Sequence, residues 1–556
     1  MSGPGVLPVN PTPRWRRFLG ACRASPGKTI CAGLGLLLLL AACLADSLLA
    51  GPMRSWAERM MNANLKGYQV HIGKVRPHLW RLGFDLENLE LVQNTHPEPP
   101  VANAGALEFS VVLGELLRFK LAGDLKIQHP ALHINLTQIR EEAKSDVRLR
   151  DRGWQRAVES IFPVKLDRVK VQDGSLLYLS SRPSSKPLEF TGISMVASNI
   201  RNIAAVTGTY PSPVSLEGIL FATGKVRFKG AADFLCEPYF ATRGEIRLER
   251  VPLDRFTPLA QEYQLKTTGG YLSVNGIMEF TPKVRKAHLT RVLLEDLRVD
   301  YQTSTATRAM EAKHAEQAVK LADSIRNTPK LVLQVDTLRL TNSQIGFVNE
   351  AAKPPYRLFI SGVSLNLDNL SNQANLGQSK FHARGLFMGS GTTVVSGEFQ
   401  PTTRPLDFAV QLQMDDARLA DINDFLLGQA GVDVADGQFS AYTEITVKNG
   451  QLQGYLKPLV KNLKIYDRRK DQAKPFRKRM ELHLLQLLAE VGKNRSTQEV
   501  ATVMTFSGST SHPKAGKWQA IRRLTGNGLF RGIAPGFLEK PQALAPVRLN
   551  LAKEGH

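Results

Sequence analysis

The sequence predicts a mainly β chain: an elongated, twisted and repetitive antiparallel sheet forming a groove or a flattened sandwich, with an N-terminal transmembrane helix and a few short helices. Three observations predict it. Short segments alternate apolar and polar residues with period two, a hairpin-sized block recurs within the chain, and one uncharged apolar run lies near the N-terminus.

Residues 1–28 are basic, with Arg14, Arg16, Arg17, Arg23 and Lys28 and no acidic residue, a flank that favours a cytoplasmic N-terminus. The uncharged run Thr29–Ala45 follows. The expected signal anchor covers 29–53, about 37 Å of helix at ~1.5 Å per residue and enough to cross ~30 Å of hydrocarbon. Inside it Leu40-Ala41-Ala42-Cys43 also spells the lipobox of a lipoprotein, and a cleaved signal peptide is a third reading. Apolar character continues past Cys43 through Leu44, Ala45, Leu48, Leu49 and Met53. The uncleaved anchor is therefore preferred, which expects a single-pass membrane protein with its body across the membrane from the cytoplasm.

Composition bounds the rest. Of 556 residues 43 % are apolar and 22 % charged, the balance of a folded chain. The net charge of +22 is spread along the chain, and no zinc-finger spacing, helix-turn-helix or ribonucleoprotein motif accompanies it. No nucleic-acid partner is expected; anionic lipid head groups suit the charge better. Cys22, Cys31 and Cys43 lie near the N-terminus and leave Cys236 alone in the body, which allows no internal disulfide or cysteine zinc site there. Cys236 is expected to be a small buried hydrophobe.

The first β-rich region is read over 54–300. It opens on a short helix in "SWAERMMNANLKGYQVHIGKV", with Trp56, Met60 and Leu65 as apolar spacing and an end at Gly67. Strand alternation then appears in "LEFSVVL" (Leu107, Phe109, Val111) and "ALHINL" (Leu132, Ile134, Leu136), and later in "FAVQLQM" and "FSAYTEITV". A helical insertion is read over 301–330, where the alanine-rich stretch Thr305–Asn327 lacks glycine and proline and is expected to rest on the sheet. The second β-rich region, 331–470, contains the repeat: 335–370 aligns with 166–200 across a single-residue gap, matching Asp336 with Asp167, Gly362 with Gly192 and Asn369 with Asn199. In both copies the glycine shifts the alternation. A shorter echo lies in "LGFDLENLEL", residues 82–91. An amphipathic helix over 471–495, strands and turns over 496–535 and a proline-containing tail over 536–556 complete the chain.

No catalytic constellation is present. Gly-x-Ser-x-Gly, His-Glu-x-x-His and the Walker pattern are absent, Ser511-His512-Pro513-Lys514 sits in a loop-like context, and "GNGLFRG" is one residue off the dinucleotide fingerprint. Asp415, Asp416, Asp421 and Asp424 follow no calcium-loop spacing and are read as a solvated helix start. No cofactor or metal is expected. Two candidate surfaces remain. In the amphipathic helix Arg477, Lys478 and Arg479 precede Met480, Leu484, Leu487 and Leu488, the pattern of an interfacial helix and equally of a helix closing the sheet. In the repeat, Leu338, Leu340, Ile345, Phe347, Leu358 and Ile360 are candidate linings of a lipid groove, or ordinary sandwich core.

The sequence resembles the AsmA-like envelope proteins of Gram-negative bacteria, in the branch catalogued as a domain of unknown function. The likeness covers nearly all of 30–535 and is carried by "LKGYQVHIGKVRPHLWRLGFDLENLEL", "HPALHINL", "FVNEAAKPPYRLFI" with "LDNLSNQ", "LFMGSGTT" and "GQFSAYTEITVKNGQLQGYLKPLVKNLKIYD". The resemblance implies a non-enzymatic protein anchored in the inner membrane, whose groove-shaped sheet holds acyl chains of phospholipid or another envelope lipid and supports phospholipid transport or outer-membrane homeostasis. The alternative is a structural or assembly factor that docks envelope or outer-membrane proteins on its sheet. The basic N-terminus and the tail "APGFLEKPQALAP" depart from the family pattern.

Overall fold

The computed structural model describes residues 50–78, 82–111, 122–143, 165–179, 187–200, 209–234, 236, 240–261, 264–303, 326–328, 330–403, 406–430, 433–465, 499–501 and 503–509. The chain is mainly β, as the alternation predicts. It divides into two compact units, residues 1–187 with 192–207 and residues 188–191 with 208–556. The expected anchor lies outside the described residues up to position 49, and among the described residues no helix is long and apolar enough to cross a membrane.

In the first unit a helix over 50–64 precedes β1 (Tyr68–His78), β2 (Gly83–Gln93), β3 (Ala102–Val111), β4 (Ala122–Gln128), β5 (Ala131–Asn135) and β6 (Lys165–Leu179). β1 to β4 pair antiparallel in sequence order. β4 and β5 then both run parallel to β6, one against each half of it. Alternation decides which face is buried: Val70, Ile72, Leu86, Leu107, Phe109, Leu125 and Val169 form one core cluster, closed by Ala57 and Leu65 with Met53 and Met61 beside them. The spacing in the sequence points to Trp56 and Met60 as the packed residues, but both are exposed. The i, i+4 series Met53, Ala57, Met61 is the one the sheet covers. The helix stops at Asn64, ahead of Gly67, whose φ of +82° makes the turn into β1.

Two side chains tie this helix to β1. The amide of Val70 donates to Asn62 Oδ1 at 2.7 Å, Asn62 Nδ2 donates to the Val70 carbonyl at 3.1 Å, and the amide of Ile72 donates to Glu58 Oε1 at 2.8 Å. Backbone groups that β2 does not reach are thus satisfied by the helix, which also blunts the strand for pairing with another chain.

β7 (Leu188–Ile200) holds the division between the units. In the second unit β8 (Ser212–Leu220), β9 (Gly224–Asp233) and β10 (Ala241–Pro252) pair antiparallel in order. β11 (Leu265–Thr268) lies apart, while β10 pairs with β12 (Tyr271–Phe280) and β12 with β13 (Arg285–Glu295). β14 (Arg298–Thr303) takes β11 as antiparallel partner, and β13 and β14 both run parallel to β15 (Leu331–Asn349). Sequential antiparallel pairing follows through β16 (Tyr356–Ser371), β17 (Ser379–Phe387), β18 (Gly391–Gln400), β19 (Asp407–Arg418), β20 (Val434–Lys448) and β21 (Gln451–Ile465), which also pairs with β22 (Glu499–Ala501) and β23 (Met504–Ser509).

Pairing is therefore mixed, where antiparallel sheet alone was expected. Period two reports pleat and burial, not strand direction; parallel neighbours need a crossover of a dozen or more residues. The long connections 136–164 and 304–330 precede the two strands that gain parallel partners.

The repeat extends beyond the aligned residues. β6 and β15 begin the two copies, and each receives two parallel strands separated by a kink, at His129 (φ +48°) in one copy and Asp296 (φ +54°) in the other. The joints match bond for bond. The His129 amide donates to the Gln172 carbonyl at 2.9 Å as Asp296 does to Thr341 at 3.1 Å, and Ser175 donates to Pro130 at 2.7 Å as Gln344 does to Leu297 at 2.7 Å. Positive φ recurs at Asp173 and Asn342, at Gly192 and Gly362, and at Asn199 and Asn369, with Asn88 in the shorter echo. Such residues mark bulges that bend and twist a strand, and Asn, Asp and Gly tolerate them best.

Candidate functional site

In the second unit, register carries apolar residues from strand to strand along transverse rows. One row runs Val226, Leu248, Val274, Val292, Leu338, Leu367, Phe381, Gly397, Val410, Ile445 and Gly454. A second runs Val251, Leu272, Leu294, Leu340, Leu365, Ala383, Val395, Leu412, Thr443 and Leu456. At ~4.8 Å between strands the longer row extends about 50 Å. The adjacent positions turn to the other face and make a polar row: Glu217, Arg227, Arg247, Asn275, Arg291, Thr337, Asp368, Lys380 and Glu398. Arg247 and Glu249 pair there at 2.8 Å, and Arg227 reaches both Glu217 and Glu249 at 3.6 Å.

Bulges keep the candidate lining residues on one face. A plain period of two would put Leu340 and Ile345 on opposite faces, and likewise Ile360 and Val363. Register shifts fall between Leu340 and Ile345, around Asn342 (φ +46°), and β16 places Gly362 (φ +59°) between Ile360 and Val363. Each extra residue restores the facing. Leu338, Leu340, Ile345 and Phe347 on β15 then stand opposite Leu367, Leu365, Ile360 and Leu358 on β16.

The six residues meet three environments. Leu340 is core at 5 % exposure, and Leu338 packs on the cluster of Val274, Val292 and Val335. Leu358 packs under Leu419, Ile422 and Val434. Ile345 and Phe347 are 45 % and 36 % exposed, and Ile360 is half-buried between Ile345 and Phe387. Tyr301 stacks on Phe347 with centroids 6.2 Å apart and an interplanar angle of 16°.

Among the described residues the face is incompletely covered over β16 to β21. On β16 to β21 every member of both rows is half-buried, where a second layer would leave them buried. Helical cover is present at one end, where the 3-10 turn Leu419–Ile422 and the helix Asn423–Ala430 pack over Leu358, Phe387, Met388 and Phe439. In the first unit, by contrast, the helix over 50–64 packs on the core cluster through Met53, Ala57 and Met61.

No protein-family model matches the chain, and no curated protein sequence matches it.

Other sequence-derived candidates fall elsewhere. The amphipathic helix with Arg477, Lys478, Arg479, Met480, Leu484, Leu487 and Leu488 lies outside the described residues, as do Ser511–Lys514, "GNGLFRG" and most of the alanine-rich insertion. The aspartates read as a solvated helix start are split between elements: Asp415 and Asp416 end β19, while Asp421 and Asp424 lie in the 3-10 turn and the helix after it. Asp415 accepts from Tyr442 across the strands and Asp421 accepts from Arg418 at 3.0 Å and Ser390 at 2.8 Å, while Asp416 and Asp424 are exposed, Asp424 in the first turn of its helix. Cys236 is free and half-buried rather than fully buried, and burial pushes its thiol pKa up.

A pocket on the polar face of the first unit escaped the sequence reading. His78, Asp85, Glu108, Asp124, Lys126, Arg168 and Lys170 line it. Its charges largely pair across neighbouring strands, His78 with Asp85 at 2.8 Å and Lys126 with Glu108 at 2.9 Å, while burial pushes the Asp124 carboxyl pKa up against the lowering effect of Arg168. Only the register brings these groups together, which is why spacing along the chain does not reveal them.

Proposed function

We propose that the protein is a non-enzymatic, membrane-anchored envelope protein of the AsmA-like kind, which holds lipid acyl chains along the apolar face of its second unit and supports phospholipid transport or outer-membrane homeostasis. One observation carries this reading: aliphatic rows through eleven paired strands stay half-buried on β16 to β21, while the opposite face carries a polar, largely charged row from β8 to β18. Soluble monomers rarely expose contiguous apolar surface beyond a few hundred Å². Acyl chains would cover it, at about 0.8 kcal/mol per methylene removed from water. The rows consist almost wholly of hydrocarbon side chains, which offer little to orient a polar substrate but suit a chain free to slide. Head groups would stay in water at the margin, where the basic excess of +22 favours anionic ones.

The test is to purify the full chain in detergent, extract it for mass spectrometry, and measure lipid exchange between vesicles. Co-purifying phospholipid and protein-dependent exchange are expected. Reproducible absence of lipid with no exchange would overturn the reading, and crosslinks from Ile345 to one defined envelope protein would favour the docking alternative.

A further inference from the structure

The helix over 50–64 has an apolar arc wider than the sheet covers. At ~100° per residue, Trp56 and Met60 lie beside the packed series Met53, Ala57 and Met61. They are 47 % and 38 % exposed, while Ala57 is 5 % exposed. Arg54, Arg59 and Lys66 are exposed on the same short segment, and its one carboxylate, Glu58, is committed to the Ile72 amide at 2.8 Å and to Arg54 at 3.5 Å. In the sequence the uncharged run Thr29–Ala45 comes just before, with Asp46 the one charged residue between it and Arg54.

We infer that this helix is a membrane-contact element: Trp56 and Met60 enter the boundary between head groups and acyl chains of an anionic bilayer, and Arg54, Arg59 and Lys66 meet lipid phosphates. This rests on the proposed membrane anchorage. Chain continuity places the helix at the surface where the apolar run would emerge. An indole, apolar in body with one N–H to keep wet, is suited to that boundary. Two side chains make too narrow a strip for a stable protein interface, which buries about 800 Å² per partner. Because Asn62 and Glu58 fix the helix to Val70 and Ile72, the contact would also set the orientation of the first unit, with β1 towards the bilayer.

The experiment uses the full chain in vesicles of phosphatidylethanolamine and phosphatidylglycerol carrying acyl-brominated lipid, with Trp56 as sole tryptophan after Trp15, Trp80, Trp154 and Trp518 are replaced by phenylalanine. Trp56 is expected to emit blue-shifted, to lose most of its emission to shallowly brominated chains, and to resist aqueous acrylamide. Protein that floats with the vesicles while Trp56 stays acrylamide-sensitive and unaffected by bromolipid would overturn the contact and leave anchorage standing. Protein that does not float would overturn both. Should the fourfold replacement not fold, the difference in bromolipid quenching between the native chain and Trp56→Phe reads the same contact.

Discussion

Asn62 brackets Val70, accepting from its amide at 2.7 Å and donating to its carbonyl at 3.1 Å, so a helix side chain stands where a neighbouring strand would pair. Asn62→Ala leaves both backbone groups of Val70 without that partner, at a cost of ~1–3 kcal/mol. Hydrogen exchange should accelerate at Val70 and Ile72 while β3 and β4 keep their protection. Unchanged exchange at these two amides would show that the latch does not hold the helix.

The second unit should separate stability from ligand holding on a single strand. Leu340 is 5 % exposed, and Leu340→Ala should cost ~2–5 kcal/mol in denaturant unfolding. Ile345 is 45 % exposed, so Ile345→Ser should cost only about 1 kcal/mol while reducing co-purified lipid. Equal lipid content in Ile345→Ser and the native protein would contradict the proposed use of this face.

Two glycines should fail for different reasons. Gly362 has φ +59° and nothing within 4 Å of an added Cβ, so Gly362→Ala should cost roughly 1–2 kcal/mol from backbone conformation alone, and Gly362→Asn less. A Cβ at Gly397 would stand 2.4 Å from the Ala409 carbonyl oxygen and 2.9 Å from the Phe381 ring. Gly397→Ala must therefore move backbone and should be the more destabilising in urea unfolding.

Lys457 supplies a pH dependence of defined sign. It is 2 % exposed, its ammonium lies 5.5 Å from the Tyr442 ring centroid, and burial holds its pKa below the ordinary value of 10.5. The unfolded chain therefore binds this proton more tightly than the folded one. Stability lost to this group at lower pH should return as pH rises from the folded pKa towards 10.5. The stability of the native protein relative to Lys457→Met, from paired urea curves, should rise over that window; a flat difference would refute the assignment.

The rows of the sheet were legible in the sequence because alternation fixes which side chains share a face, and the hairpin copy was legible because Gly192 and Gly362 mark the phase shift. The joints His129–Asp173 and Asp296–Asn342 were not, since they are made between strands that only the crossovers bring parallel. Trp56 and Met60 misled because large side chains dominate a spacing pattern, while Met53, Ala57 and Met61 fit the available space. Glu58 and Asn62 read as ordinary polar helix residues because their partners are backbone groups. The incomplete burial of Leu365, Val395 and Leu412 was not legible, because alternation fixes which face they share and not what packs over it.

Photocrosslinking along β15 and β16 tests the central claim most directly. With a photoreactive residue placed singly at 339, 344, 345, 346, 347, 358 and 360 of the full chain in native membranes, lipid adducts are predicted at 345, 347 and 360, and not at 339, 344 or 346 or at 358, which packs under Leu419 and Ile422. The period should be two, in the phase set by the bulge at Asn342. Adducts of equal yield on both faces, or protein adducts alone at 345 and 347, would contradict the account.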